Sequence, residues 1–448
     1  MDKTLPQEQQ ATSAPPVLAS AIVIAAPGVF GVAMPGAGHE AGPLTVVGGL
    51  PLFVRVVLTL QRAGVQDVTV VAGDDELQLK RALAGNPKVT VPVRWRPIRE
   101  FPADDHKTWD ALAHEMKGAC LVVGAQMVLS RQLIEVLARE AAADAGALTV
   151  VCDGRATDLA VMQPELLRVA TPIKGEGPPF RVLLGRAQAD GLVTAIETSA
   201  ESRCWCLRVD DRASAQAAER KLFAALRGQY EGFVDTYFNR AVSAQLSRIF
   251  LALHLSPNAI TLVATAVGML AAVFFSTGSY AAGIVGALLF QLSAIIDCCD
   301  GEVARLTFTE SPFGEQLDIM TDNLVHMAIF AAIGLGAFRA YGGWNGSGVT
   351  WLPLALGGAA VFANIVSLWL VTRAKAIQTR NAWRTPEQAA RAEFILKNMA
   401  SRDFSVILLI FAVIGRLDWF LCLTAIGSNL FWPMLAWVTR PSAIVSRA

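Results

Sequence analysis

Charge is scarce in this sequence. Only 17% of its 448 residues are Asp, Glu, Lys or Arg, against 53% hydrophobic ones, a balance too apolar for an ordinary soluble two-domain chain. Part of it therefore belongs in a membrane. The charges also cancel: 38 basic and 38 acidic side chains leave no overall positive field, which argues against nucleic acid as a partner. Metal-site cysteine spacing is missing too. Of the 7 cysteines, Cys204 and Cys206 flank Trp205 in a strand-like run, and Cys298 and Cys299 fall in an apolar helix, a pattern that argues against zinc and disulfides and for a reducing side. The opening "MDKTLPQEQQATSAPP" has no basic segment ahead of an apolar core, so residues 1–16 read as a disordered tail rather than a cleaved leader.

What is present divides into two halves. From 17 to 210, strand-like runs ("ASAIVIAA", "DVTVVAGD", "ACLVVGA", "ALTVVCD") alternate with helix-period segments, which predicts a soluble α/β, Rossmann-like domain with a mainly parallel sheet. Residues 211–256 lose the strand signal and read as a linker and a juxtamembrane amphipathic helix. A membrane domain is expected over 257–438, with apolar runs near 259–277, 281–297, 319–338, 351–372 and 419–438, a shorter sixth at 404–415, and a tail at 439–448. The connection from 373 to 402 carries seven basic residues, among them Arg373 and Arg402 at its ends, whereas "RAYGGWNGSGVT" on the opposite side has Arg339 alone. That bias places the soluble domain on the cytoplasmic side.

Four aspartates interrupt this apolar half, in "IDCCDGEVARLTFTESPFGEQLDIMTDN". Asp297 and Asp300 are three residues apart at the end of the second run, and Asp318 and Asp322 four apart at the start of the third, so each pair shares a helix face. A turn around Pro312 and Gly314 lets the two faces oppose each other. Four unpaired carboxylates at membrane depth would cost on the order of 10 kcal/mol before their repulsion, so cations must sit among them. All-oxygen ligation suits Mg2+ or Mn2+, and two ions balance the four charges. Gly301 and Ala304 leave the helix bare beside Asp300, and Arg305 offers a forked cation to a phosphate or a carboxylate. An intramembrane ion pathway would also need acids but has no evident use for these small residues. His326, one turn beyond Asp322, reads as a packing residue or a substrate contact, and "SPNAIT" as a helix start or as nucleotide contacts through Asn258 and Thr261.

Asp297, Asp300, Gly301, Ala304, Arg305, Gly314, Asp318 and Asp322 fill every fixed position of DxxDGxxAR, eight residues, GxxxDxxxD. The sequence thereby resembles the CDP-alcohol phosphotransferases, less specifically over 228–438. The resemblance implies a homodimeric membrane enzyme that splits a CDP-alcohol donor, releases CMP and joins the phosphoalcohol to an acceptor hydroxyl. It implies metal ligation by Asp297, Asp300, Asp318 and Asp322, with Asp322 as the base and Gly301, Ala304, Arg305 and Gly314 around the CDP group. Arg373 and Arg402 are the candidates for an acceptor phosphate.

The first half, through "AIVIAAPGVFGVAMPGAGHEAGPLTVVGGLPL", resembles sugar-phosphate nucleotidyltransferases. A fusion of the two is similar to bifunctional inositol-1-phosphate cytidylyltransferase/CDP-inositol transferases, which implies a second activity making the CDP-alcohol from CTP. The charged residues that such a domain uses on triphosphate and metal are missing here: Gly42 stands where a lysine is expected, and Ala125 and Gln126 where a metal-binding aspartate is expected. The expectation is a degenerate domain.

Overall fold

The computed structural model describes residues 18–26, 28–30, 41–116, 118–143, 146–169, 178–199, 201–226, 240–343, 350–379 and 404–438. The two terminal tails, Arg402 and most of the basic connection lie outside these residues. The chain forms two compact units that divide after Ala225.

The first unit is built on a seven-stranded sheet in the order Val193–Thr198, Ala147–Cys152, Arg155–Met162, Cys120–Gly124, Ser20–Ile24, Asp67–Ala72 and Val93–Pro97. All neighbours are parallel except Arg155–Met162, which runs antiparallel to both strands beside it. The two-residue turn Asp153–Gly154 feeds that strand, and both residues have the positive φ, 48° and 73°, that tight hairpins demand. "SAIVI" and "CLVVG" are buried at every position, as strands covered on both faces must be. One core cluster holds Ile22, Val122, Trp109 and Phe180. In a second cluster, Ala218 of the helix Arg212–Ala225 packs with Trp205, Val209 and Leu52. That helix therefore belongs to the α/β unit, and the unit extends past the expected boundary at residue 210.

The second unit is helical. Among the described residues, the juxtamembrane helix Arg240–Ala252 precedes five helices long and apolar enough to cross a bilayer: Pro257–Ser276, Tyr280–Thr307, Pro312–Ala340, Leu352–Arg373 and Leu417–Trp437. They are called here the first to fourth spans and the last span. The sixth expected run forms Phe404–Ile414, whose 11 residues rise only about 16 Å at 1.5 Å each, half a bilayer core. This short helix packs one face against the bundle, where Phe404 meets Phe290, Phe330 and Phe420 and Tyr280 donates to Val413 O at 2.8 Å, and leaves Ile407, Ile410 and Ile414 exposed on the other.

Small residues let the spans touch. A methyl group on Gly336 would lie 2.1 Å from Phe275 O, and one on Gly278 2.2 Å from Gly336 O, so at this end the first and third spans meet backbone to backbone. Gly334 and Gly357 bring the third and fourth spans together in the same way. The second span runs ten residues beyond its expected end at 297, and its last turns carry the acidic motif.

Candidate active site

Two helix ends and the turn between them make the site. The second span stops at Phe308, a non-glycine residue in the left-handed region (φ 57°, ψ 30°), and Thr309 N then donates to Ala304 O at 2.9 Å. Such a conformation is costly for a bulky residue and sits one turn from Arg305. The third span starts with Ser311 as its cap, the hydroxyl accepting from Gly314 N at 3.0 Å, and with Pro312 in its first turn. This reversal sets Asp318 opposite Asp297 and Asp300. One oxygen from each of the three carboxylates lies within 4.8 Å of the others, and Asp297 and Asp300 are buried. Asp322 sits one turn further along the third span, half-buried, and is not a member of that convergent set.

Beside the carboxylates opens a cleft of about 500 Å³. Asn258, Thr261, Gly301, Ala304, Arg305 and Gly314 all line it, together with Asp300 and Asp318. The Thr261 hydroxyl donates to Asp300 Oδ2, which ties the first span to the motif. The two glycines make specific room. A methyl group at Gly301 would come within 3.0 Å of Arg305 Nη1, so its absence lets the guanidinium fold back along the helix. One at Gly314 would stand 3.2 Å from Asn258 Oδ1, so glycine admits that amide to the cleft. "SPNAIT" is an ordinary helix start, with Ser256 capping Ala259 N at 3.3 Å, and the same turn presents Asn258 and Thr261 to the cleft. His326 lies among the rings of Phe290, Phe330 and Phe404, at 5.7 to 6.3 Å, which supports a packing role.

Several residues of this region had escaped the sequence reading. Glu310 and Glu315 also line the cleft, and nothing in their spacing marks them. Glu302 is buried on the opposite face of the second span, with Ser243 and Ser247 donating to it. Its signal was available: an acid within a helix otherwise apolar on that side. Arg373 is exposed at the end of the fourth span, its guanidinium 5.5 Å from the centre of the Trp369 ring, and is not among the residues lining the cleft.

The α/β unit has a cleft of its own, about 420 Å³. Gly42, Ala125 and Gln126 line it, as do the carboxylates of Asp74, Asp75, Asp158 and Asp210. Gln126 donates its amide to Ala41 O at 2.6 Å rather than offering an acid to a metal. Arg208, the cation among the described lining residues, is paired with Asp158 and with Asp210. Burial pushes the Asp158 carboxyl up despite Arg208 and Arg181, and burial raises Asp75 as well.

A membrane-embedded carboxylate hairpin opening on a small-residue cleft is the class of site these helices define. Residues 254–426 match the CDP-alcohol phosphatidyltransferase family, and with five described helices apolar enough to cross a bilayer the protein is an integral membrane protein. The chain is 26% identical over 223 residues to a bifunctional IPC transferase and DIPP synthase of Aquifex aeolicus, covering 50% of this chain and 47% of the relative. It is 32% identical over 139 residues to the protein of that name from Archaeoglobus fulgidus, covering 31% and 27%. The chain thus spans less than half the length of these relatives. Among solved structures, it is similar to the inositol-1-phosphate CTP transferase from T. maritima (12% identity, TM-score 0.34, 46% of this chain and 96% of that one). It is also similar to the Mycobacterium tuberculosis phosphatidylinositol phosphate synthase with CDP-DAG bound (19%, TM-score 0.32, 46% and 98%).

Proposed function

We propose that this protein is a divalent-metal-dependent CDP-alcohol phosphotransferase, acting as a homodimer with its cleft open to the cytoplasm. The observation that carries the reading is the convergence of Asp297, Asp300 and Asp318 at a cleft lined by the other small and basic residues of the motif. The donor set fits Mg2+ or Mn2+: hard oxygens only, in a region of the chain where bare negative charge is costly. Held there, the cation would supply positive charge against a diphosphate.

The chain's own residues account for the rest. Gly301 and Ala304 leave the second span bare so that a nucleotide can lie against it, and Asn258 and Thr261 offer polar atoms from the first span. Arg305 faces the same space and suits the phosphates. The acceptor oxygen attacks the phosphorus bearing the alcohol, the bond to the CMP oxygen breaks, and Asp322 takes the acceptor's proton. Inside-out vesicles carrying the full chain are expected to release CMP from a CDP-alcohol in a panel of donors and acceptors. Release should stop in excess chelator and return with Mg2+, and sealed right-side-out vesicles should be silent until permeabilised. Undiminished release in chelator would remove the metal from the reaction.

Arg373 is the described candidate for an acceptor phosphate, from its exposed place at the membrane edge. Arg373→Ala should raise the acceptor's KM about tenfold, the worth of one charge-assisted contact, and leave the donor's within twofold. An unchanged acceptor KM returns Arg373 to the role of an interfacial anchor stacked on Trp369.

A second activity, formation of the CDP-alcohol from CTP, is supported by the names of the relatives. The acidic lining of the α/β cleft speaks against it. Our reading gives that unit a structural or regulatory role.

A further inference from the structure

The back of the second span carries another acid. Glu302 follows Asp300 by two residues, and at 100° per residue it leaves the helix about 200° from Asp300 and about 140° from Asp297. It is 2% exposed, and each of its oxygens accepts a hydroxyl from the juxtamembrane helix: Ser243 Oγ to Oε1 and Ser247 Oγ to Oε2, both at 2.7 Å. The two serines are one helical turn apart and fully buried. Cys299, one turn before Glu302, donates its thiol to Ser243 O at 3.5 Å. Around this polar seat lie Ile260, Ile296 and Val303, with Leu246 and Phe250 packed against them.

A buried carboxylate is a poor device for stability, because its partners at best offset its desolvation and an apolar side chain would close the same gap at lower cost. What it supplies is register. Helices sealed by aliphatic contacts alone can rotate slightly, since each contact is weak and many alternatives are nearly as good. A carboxylate gripped at both oxygens from consecutive turns cannot, because any rotation stretches a charge-assisted bond where no water can replace it.

We propose that Glu302, seated on Ser243 and Ser247, is a positioning residue that fixes the rotation of the second span so that Asp297 and Asp300 face Asp318. The inference rests on reading those three carboxylates as cation ligands. It assigns the juxtamembrane helix a part in cation binding although none of its described side chains lines the cleft.

Mn2+ binding to the full chain in detergent, read from the electron-paramagnetic signal of the free ion, tests it alongside the melting temperature. Wild type should bind and Asp300→Asn should not. Glu302→Gln should bind within about threefold of wild type, because its amide can still accept from one hydroxyl while donating to the other. Glu302→Leu and the double variant Ser243→Ala/Ser247→Ala should bind at least about tenfold more weakly, with the Glu302→Leu melting temperature at or above that of wild type. Wild-type Mn2+ affinity in a Glu302→Leu protein that melts cooperatively overturns the proposal and leaves the metal reading standing. If Glu302→Leu does not fold, wild-type affinity in the serine double variant overturns it equally. Absence of Mn2+ binding in wild type removes the metal reading itself.

Discussion

Asp300→Asn should lower CMP release by about 10³-fold, the cost of deleting one preorganised electrostatic partner from a buried site. The substitution keeps the side chain's volume and one oxygen. It removes the charge that meets Thr261 and that converges with Asp297 and Asp318. Donor binding should fall with turnover, because the same cation that would steady the reacting diphosphate also holds it in the ground state. Asp322→Asn makes the informative contrast. Asp322 stands outside the convergent set, so its loss as a proton acceptor should cost about 10²-fold or more in kcat while donor affinity stays within about threefold. Turnover and equilibrium binding of a labelled CDP-alcohol, measured on both variants, separate the roles. Near-normal turnover in Asp322→Asn would take the base assignment away from it, and wild-type activity in Asp300→Asn would sink the site as a whole.

The full chain carrying Asp300→Asn, which cannot consume a CDP-alcohol, should release no pyrophosphate from CTP and any of a panel of polyol phosphates. The expectation follows from charge. Between Lys3 and Arg55 the sequence holds neither lysine nor arginine, so the glycine-rich stretch has no cation for a triphosphate. Arg55 is already employed: its guanidinium is buried, donates to Val47 O and Gly48 O at 2.8 and 3.0 Å, and is pushed down to about 10 by that burial. The four aspartates on the cleft would repel a triphosphate, and Arg208 is paired with two of them. Each missing donor to the transferring phosphate is worth about 10²- to 10³-fold, so two or three missing together put the reaction below detection. Gly42→Lys alone should not rescue it, since one added cation does not offset the four aspartates that line the cleft. Pyrophosphate release that requires both CTP and one particular polyol phosphate would make the chain bifunctional.

The acidic hairpin was legible because its chemistry demands fixed spacings: residues three, four and seven apart share a helix face wherever the helix lies, and small residues beside them leave the same groove. The cleft accordingly gathers the six residues named for the CDP group. The seat of Glu302 was harder to read, since it depends on two serines 55 and 59 residues away in sequence, and no periodicity links them. The strand Arg155–Met162 escaped for a different reason. Asp158 breaks its apolar run, although "DG" at 153–154 is the turn that a hairpin there requires. The helix Arg212–Ala225 reads as lying outside the α/β unit because the strand signal ends before it. Its place is set by two buried side chains, Ala218 and Phe223, too few to raise a periodic signal.

The backbone contact between Gly278 and Gly336 has a mechanical meaning. It pins the first and third spans at one end of the bundle, while the carboxylates lie toward the other, about 27 Å along the helix from Gly336 to Asp318 at 1.5 Å per residue. A tilt of the third span by about 2° about that joint would swing Asp318 by roughly 1 Å, twice the tolerance of about 0.5 Å within which a ligand set keeps its geometry. The approach of Gly268 to Val325 midway and of Gly314 to Asn258 at the far end opposes such a tilt, so the two glycines, with no chemistry of their own, form one end of a splint that runs the length of the two helices.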